Sequence, residues 1–144
     1  MATTKHKAYT AAIASVLTTD LNSLGSGSTS AATAALDNTT NLDLFADLTL
    51  TVAAQGAARS AGANVAVYMV QALDGTNYDD VHAGTAELVA VFSLDAATTA
   101  RQSTRRDVPI PPGLYKYFVV NNTGQAFAAS GNILEHRMHS IETA

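Results

Sequence analysis

The side chains whose types and spacing could do chemistry are four histidines, a cluster of acidic and amide groups at residues 74–80, and Arg105-Arg106. Imidazoles bind transition metals, and metal sites are read from ligand spacing. His136 and His139 would share a face on a helix, but on a strand their odd spacing sends them to opposite faces. His6 and His82 have no Cys, His or acidic group at motif spacing. The expectation is surface histidines and no metal site. Asp74, Asn77, Asp79 and Asp80 offer three carboxylates and an amide within seven residues, the oxygen chemistry that calcium takes. The calcium-loop frame fails, because Gly75 holds the second place and Thr85 the twelfth, where a closing Glu belongs. A turn in which Asp and Asn bond the local backbone is expected instead.

No Gly-x-Ser-x-Gly elbow, phosphate loop or His-Glu-x-x-His is present, and Gly25-Ser26-Gly27 lacks the rest of a nucleotide fingerprint. No Asp or Glu stands out from turns and exposed faces. The expectation is a chain that is not an enzyme and needs no cofactor. Asn38-Thr39-Thr40 and Asn121-Asn122-Thr123 match the glycosylation acceptor pattern, which matters in a eukaryotic secretory setting. Arg105 and Arg106 stand in the polar run RQSTRRD. They read either as part of a solvated edge strand or as guanidinium forks for carboxylates on a neighbouring protein. Together with Lys5, His6, Lys7 and Tyr9 they are the candidate partner contacts.

The elements that would carry these groups are strands. Residues 108–124, VPIPPGLYKYFVVNNTG, read as a Pro-Pro-Gly corner, a run of aromatic and β-branched side chains, and a turn. Pro111 and Pro112 lack an N–H and end a strand, while Gly113 and Gly124 supply the positive φ of tight turns. Leu42, Leu44, Ala46, Leu48, Leu50 and Val52 alternate with polar residues or Phe45, a half-buried strand. Val65, Val67, Met69 and Leu73 line one face of the next strand, with Ala66, Tyr68 and Val70 on the other, so both faces are covered. Asp74-Gly75 starts a hairpin-type turn. Leu88–Leu94 is a further short strand, and Arg101–Asp107 reads as an edge whose charges discourage pairing. The segment from Asn132 to Ile141 closes the chain, with Leu134 and Met138 inward. With Ala31–Leu36 these make seven or eight strands at regular spacing, which predicts an all-β fold: an antiparallel sandwich or barrel.

Residues 1–30 differ. Tyr9, Ile13, Val16, Leu17, Leu21 and Leu24 partly fit a helical face, though Thr18 and Thr19 oppose a long helix. Gly25-Ser26-Gly27-Ser28 reads as a flexible hinge. Two domains of organisation follow: an N-terminal arm and hinge over residues 1–30, and a β-sandwich over residues 31–144. The arm either packs on its own domain or reaches a neighbour, and residues 1–24 should be removable without unfolding the sandwich. Lys5-His6-Lys7 before AYTAAIASVL mimics a secretory leader, but the apolar part is short and Thr10 and Ser15 break it, so no leader is expected.

Composition narrows the partners. The 144 residues form about one domain, with 47% hydrophobic residues dominated by Ala and only 6% aromatic. That makes a thin core. Charged residues are 14%, against roughly 25–35% on the surface of a free soluble protein, which predicts a surface partly covered by neighbours. A net charge of −4 argues against nucleic acid. No run reaches the length of a membrane helix. With no cysteine, disulfides and thiolate chemistry are excluded.

Several segments in order resemble the small jelly-roll virion proteins of tailed bacteriophages, of the capsid decoration or cementing type. They are Leu21-Asn22-Ser23-Leu24, residues 37–47 (DNTTNLDLFAD), Val67-Tyr68, Asp74-Gly75-Thr76-Asn77-Tyr78, Ile110-Pro111-Pro112-Gly113, Lys116, Asn121-Asn122-Thr123-Gly124 and Ser130-Gly131-Asn132. The resemblance implies an eight-stranded, jelly-roll-like antiparallel sandwich with an N-terminal arm. It implies a structural role on the outer capsid surface of the virion, bridging subunits of the major capsid protein, in a chain made in the host cytoplasm. A dimer or trimer on the shell would fit. The alternatives are a collar, tail or fibre component of the same fold, or a carbohydrate-binding sandwich module, which the lack of Trp and the presence of only five Tyr make third.

Overall fold

The computed structural model describes residues 2–9 and 11–143, and Thr10, one of the two breaks in the leader-like stretch, lies outside them. The strands are β1 (Thr4–His6), β2 (Ala14–Leu17), β3 (Leu36–Asp37), β4 (Phe45–Val52), β5 (Asn64–Ala72), β6 (Glu87–Ser93), β7 (Arg101–Pro109), β8 (Leu114–Asn122), β9 (Ile133–His139) and β10 (Ile141–Thr143). A short 3₁₀ turn spans Thr19–Leu21. Among the described residues no helix is long and apolar enough to cross a membrane.

Two four-stranded antiparallel sheets, ordered β2-β9-β4-β7 and β3-β8-β5-β6, face each other, and β1 pairs with β10 in a separate ribbon. Successive strands from β2 to β9 alternate between the sheets except at β5–β6, which is the jelly-roll arrangement. The fold is therefore the all-β antiparallel sandwich that the strand pattern predicts, with a strand order consistent with the jelly roll that the resemblance implies.

Side-chain alternation builds the core. Ala46, Leu48, Leu50 and Val52 of β4, Val65, Val67 and Met69 of β5, and Tyr115, Tyr117 and Val119 of β8 meet between the sheets with Phe92 and Leu134. Burying one such aliphatic side chain contributes about 1.5–3 kcal/mol. Met138 packs against this core as expected. The other face of β5 and β8 is dry too. Ala66, Val70, Phe118 and Val120 form a second cluster under Tyr78, Ala83 and Ala86 of the β5–β6 connection. Tyr68 stacks on Phe118 at 5.3 Å, and the Lys116 ammonium sits 4.0 Å from the Tyr78 ring centroid, a cation–π contact. The thin central core is thus supplemented by an outer layer of loop residues.

Three buried asparagines clamp the loops. Asn38 donates to the Asp43 and Pro111 carbonyls at 2.7 and 2.8 Å and accepts from the Asp43 N–H at 2.8 Å. Asn121 donates to the Leu24 and Gln125 carbonyls, both at 2.8 Å, and accepts from the Thr123 N–H and hydroxyl. Asn132 donates to Asn22 and to the Ala128 carbonyl and accepts from the Ala53 N–H. Asn38 and Asn121, the two glycosylation candidates, have no exposed surface, so neither can carry a glycan in this fold. Arg59, also buried, donates to the Asp95 and Thr99 carbonyls, Gln55 and the Asp95 carboxylate, tying the β4–β5 loop to the β6–β7 loop.

Several boundaries differ from the sequence reading. Leu42 takes φ 51° and, with Leu44, is exposed, so β4 starts at Phe45: the Asn38 clamp holds Asp43 in a turn. Leu73, expected inward, is fully exposed because β5 ends at Ala72. Of residues 31–36 only Leu36 is in a strand. Asp74-Gly75 opens a long connection rather than a two-residue hairpin, since β6 begins at Glu87. Gly113 has no positive φ, whereas Gly124 has φ 79° and no room for a side chain, a Cβ there falling 1.9 Å from Ser60 Oγ. Residues 1–30 are not set apart from the sandwich. Leu17 and Leu21 lie in the main core and β2 pairs with β9. The Gly/Ser hinge is held by the Gly27 N–H to the Asn121 carbonyl, with Ser30 and Thr33 bonded to β8.

Candidate functional site

The outer face of the β2-β9-β4-β7 sheet carries the main concentration of polar chemistry. Strand β4 presents Phe45, Asp47 and Thr49 there, and β9 presents Glu135, Arg137 and His139. The register between β4 and β7 shifts after Ala46–Val108, so that Asp47 faces both Arg106 and Asp107. This bulge puts Asp107 in the left-handed region, φ 55°, a strained setting for a non-glycine residue. Residues 6–9 pass over the same surface, placing His6, Lys7 and Tyr9 above the bulge.

Two adjoining cavities result. One, of about 280 Å³, is lined by Tyr9, Ile13, Asp47, Thr49, Thr104, Arg106, Glu135, His136 and Arg137. The other, of about 400 Å³, is lined by His6, Lys7, Tyr9, Asp47, Arg106, Asp107 and His139.

Asp47 is the hub. Its carboxylate accepts the Tyr9 hydroxyl, the Asp107 N–H at 3.1 Å and a contact from His139 Nε2 at 3.2 Å. Burial raises the Asp47 carboxyl, but the Tyr9 hydroxyl, the Asp107 N–H and His139 outweigh it and hold it below the usual carboxylate range. The same bond raises the Tyr9 phenol. The Arg137 guanidinium lies 3.8 Å from the Tyr9 ring centroid and donates to the Ala11 carbonyl at 2.9 Å, fastening the segment after β1 to the sheet. His139 is almost fully buried, with Tyr9, His6 and Phe45 rings around it at 5.5–5.9 Å and Asp107 Oδ1 3.3 Å from Nε2. The arrangement offers imidazole nitrogens and carboxylate oxygens at one point, with guanidinium and hydroxyl groups beside them.

No protein-family model matches the chain, and no curated protein matches it. Among solved structures it is similar to the K1 cleaved adhesin domain of Lys-gingipain from Porphyromonas gingivalis W83. That likeness has 20% identity over 78% of this chain and 60% of the other, with a TM-score of 0.37. It is also similar to a CBM4 structure at 16% identity over 77% of this chain and 69% of the other, with a TM-score of 0.29. The chain thus spans three-fifths of the adhesin domain's length.

Of the candidate contacts, the structure brings His6, Lys7, Tyr9 and Arg106 together at this site. Lys5 stands on the ribbon, paired with Glu142 at 3.3 Å. Arg105 turns the other way, donating to the Val91 carbonyl at 2.8 Å with its guanidinium 5.6 Å from the Phe92 ring, a contact between the sheets. Asp47, Asp107, Arg137 and His139 were missed as a set, because they meet only through strand register and the bulge.

The histidines divide. His136 points inward and His139 outward, as strand spacing requires, but both are buried rather than on the surface. Burial holds the His136 imidazole below its ordinary value. His82 is exposed, its Nδ1 accepting the Gly84 N–H at 3.1 Å. The acidic loop behaves as the turn reading predicts: Asp74 accepts from the Thr76 and Asn77 N–H groups and the Asn77 amide at 2.7–2.9 Å.

Proposed function

We propose that this chain is a structural virion protein that binds the outside of a tailed-phage capsid and cements the shell by bridging subunits of the major capsid protein. The observation that carries the reading is the β1–β10 ribbon. Both strands are exposed along their whole length, and each keeps one edge without a strand partner among the described residues. An unpaired edge is a template on which a neighbour's strand can add, with main-chain hydrogen bonds supplying affinity. Lys7 and Arg106 put positive charge beside the ribbon in a chain that is acidic overall, while Lys5 is paired with Glu142. A carboxylate-bearing neighbour would complement it. The sequence resemblance and the low charge of the surface support the same reading.

The role is taken as mechanical, without catalysis or cofactor. The Asp47 carboxylate is already engaged by Tyr9, Asp107 and His139, as a positioned structural group is. Binding acts by mass action, favouring the assembled shell over the disrupted one, and many copies on a lattice let each contact be modest. The same ribbon would serve a collar, tail or fibre position. The groove between Tyr9 and Arg106 favours a second reading, glycan binding, although Arg137 already occupies one face of the Tyr9 ring.

The test is to mix the purified chain with phage heads lacking it, sediment them and count bound copies per shell. Saturable binding at many copies, with heads that survive higher temperature, is expected. Binding to tails or collars alone, or to arrayed glycans and not to heads, would overturn the capsid reading.

A further inference from the structure

We propose that His6, His139 and Asp107 form a binding site for a divalent transition-metal ion, zinc being the best match. One ligand atom from each residue lies within 4.8 Å of the other two. The three come from separate parts of the fold: the end of β1, the end of β9 and the bulge in β7. Zinc–nitrogen and zinc–oxygen bonds of about 2.0–2.2 Å in a tetrahedral site put ligand atoms about 3.3–3.6 Å apart. His139 Nε2 and Asp107 Oδ1 already stand 3.3 Å apart. His6 must close by about an ångström or so relative to that spacing. It sits at the end of an exposed ribbon strand.

The two other ligands are held in place. His139 is buried, and the bulge that forces Asp107 to φ 55° also turns its carboxylate to His139. Asp47 Oδ1, 3.2 Å from the same His139 nitrogen, also accepts the Asp107 N–H at 3.1 Å, so it supports both ligands from behind. Its other oxygen is fixed by Tyr9. This is the outer support that metal ligands normally have. Two imidazoles with carboxylate oxygen suit zinc, nickel, cobalt or copper rather than calcium or magnesium, which take oxygen sets. Lys7 and Arg106 line the same cavity and oppose a dication, so the site fits an ion held reversibly rather than a permanent structural one. Bound metal would pin the ribbon to the sandwich. The inference does not depend on what the ribbon docks against.

The experiment is calorimetric titration of the full, untagged chain, first stripped with chelator, with zinc chloride alone. One ion per chain is expected, with a melting temperature raised by about 5 °C or more at a hundredfold excess over Kd. His6→Ala, an exposed change that should leave the metal-free melting temperature alone, should weaken zinc at least about tenfold. Asp107→Asn should weaken it similarly, and His82→Ala, at a distant exposed histidine, should not. The absence of one-to-one binding, equal response to calcium, or loss of binding in His82→Ala but not in His6→Ala would each overturn the site.

Discussion

Replacing Asn121 by Asp changes one atom and should cost a large share of the fold's stability. The Asn121 amide donates to the Leu24 and Gln125 carbonyls at 2.8 Å each, in a side chain with no exposed surface. A carboxylate oxygen in its place cannot donate to either. A carbonyl left without a donor in a buried site costs about 1–3 kcal/mol, so two give about 4 kcal/mol. The charge itself adds more, because a buried carboxylate without a partner is unfavourable. With a urea dependence of about 2 kcal/mol/M for a chain of this size, the unfolding midpoint should fall by about 2 M. The penalty should ease in acid. The buried carboxyl has a folded-state pKa above its unfolded value, so its relative stabilisation is full below the unfolded pKa and is lost as pH rises through the folded one. Urea unfolding at pH 7 and near pH 4 reads both effects. Asn122→Asp is the control, since Asn122 is exposed and makes only a 3.3 Å contact with Asn64. Midpoints equal for the two variants at pH 7 would refute the clamp argument.

Two further expectations concern the arm and the loop network. Deleting residues 1–24 should unfold the chain or remove most of its stability, because Leu17 and Leu21 are buried in the core and are worth together about 3–6 kcal/mol. Deleting residues 1–9 should cost less, about 2–3 kcal/mol, as circular-dichroism melts would show, since the Tyr9 bond to Asp47 and its contact with Arg137 are lost but no core side chain is. Asp95 is held down to about 2 from 3.8 by Arg101 first and Arg59 second. Because the folded value is depressed, the stabilisation is present above pH 4 and disappears as pH falls through about 2. Arg101→Gln should therefore flatten the melting-temperature curve between pH 4 and pH 2, and parallel curves would contradict it.

The sandwich was legible where burial is written into side-chain type. Strand β5 read as covered on both faces because apolar residues occupy successive positions, β8 read as a strand from its aromatic and β-branched run, and β7 read as an edge because residues 101–107 are polar throughout. Legibility failed where a polar residue does a buried job. Asn38, Asn121 and Asn132 have the composition of turns, and nothing local says that each holds a segment far away. The Gly/Ser stretch looks flexible for the same reason: its anchors are on β8, not beside it in the chain. The candidate site was half visible. His6, Lys7, Tyr9 and Arg106 stood out as exposed cations and rings, but a bulge has no marker in RQSTRRD, so Asp107 was invisible as a partner for His139.

The alternation of strands between sheets also dictates when this chain can fold. Among the described residues, β5 and β6 are the only strands adjacent both in sequence and in a sheet. Everything else waits: β3 has no sheet neighbour until β8 exists, and β2 has none until β9 does. On a ribosome, the first half of this protein would emerge as unpaired strands, and the β5–β6 hairpin would be the earliest native sheet pairing. Closure is then a late, nearly all-at-once event, set by the arrival of β8 and β9 rather than by growth from the N-terminus.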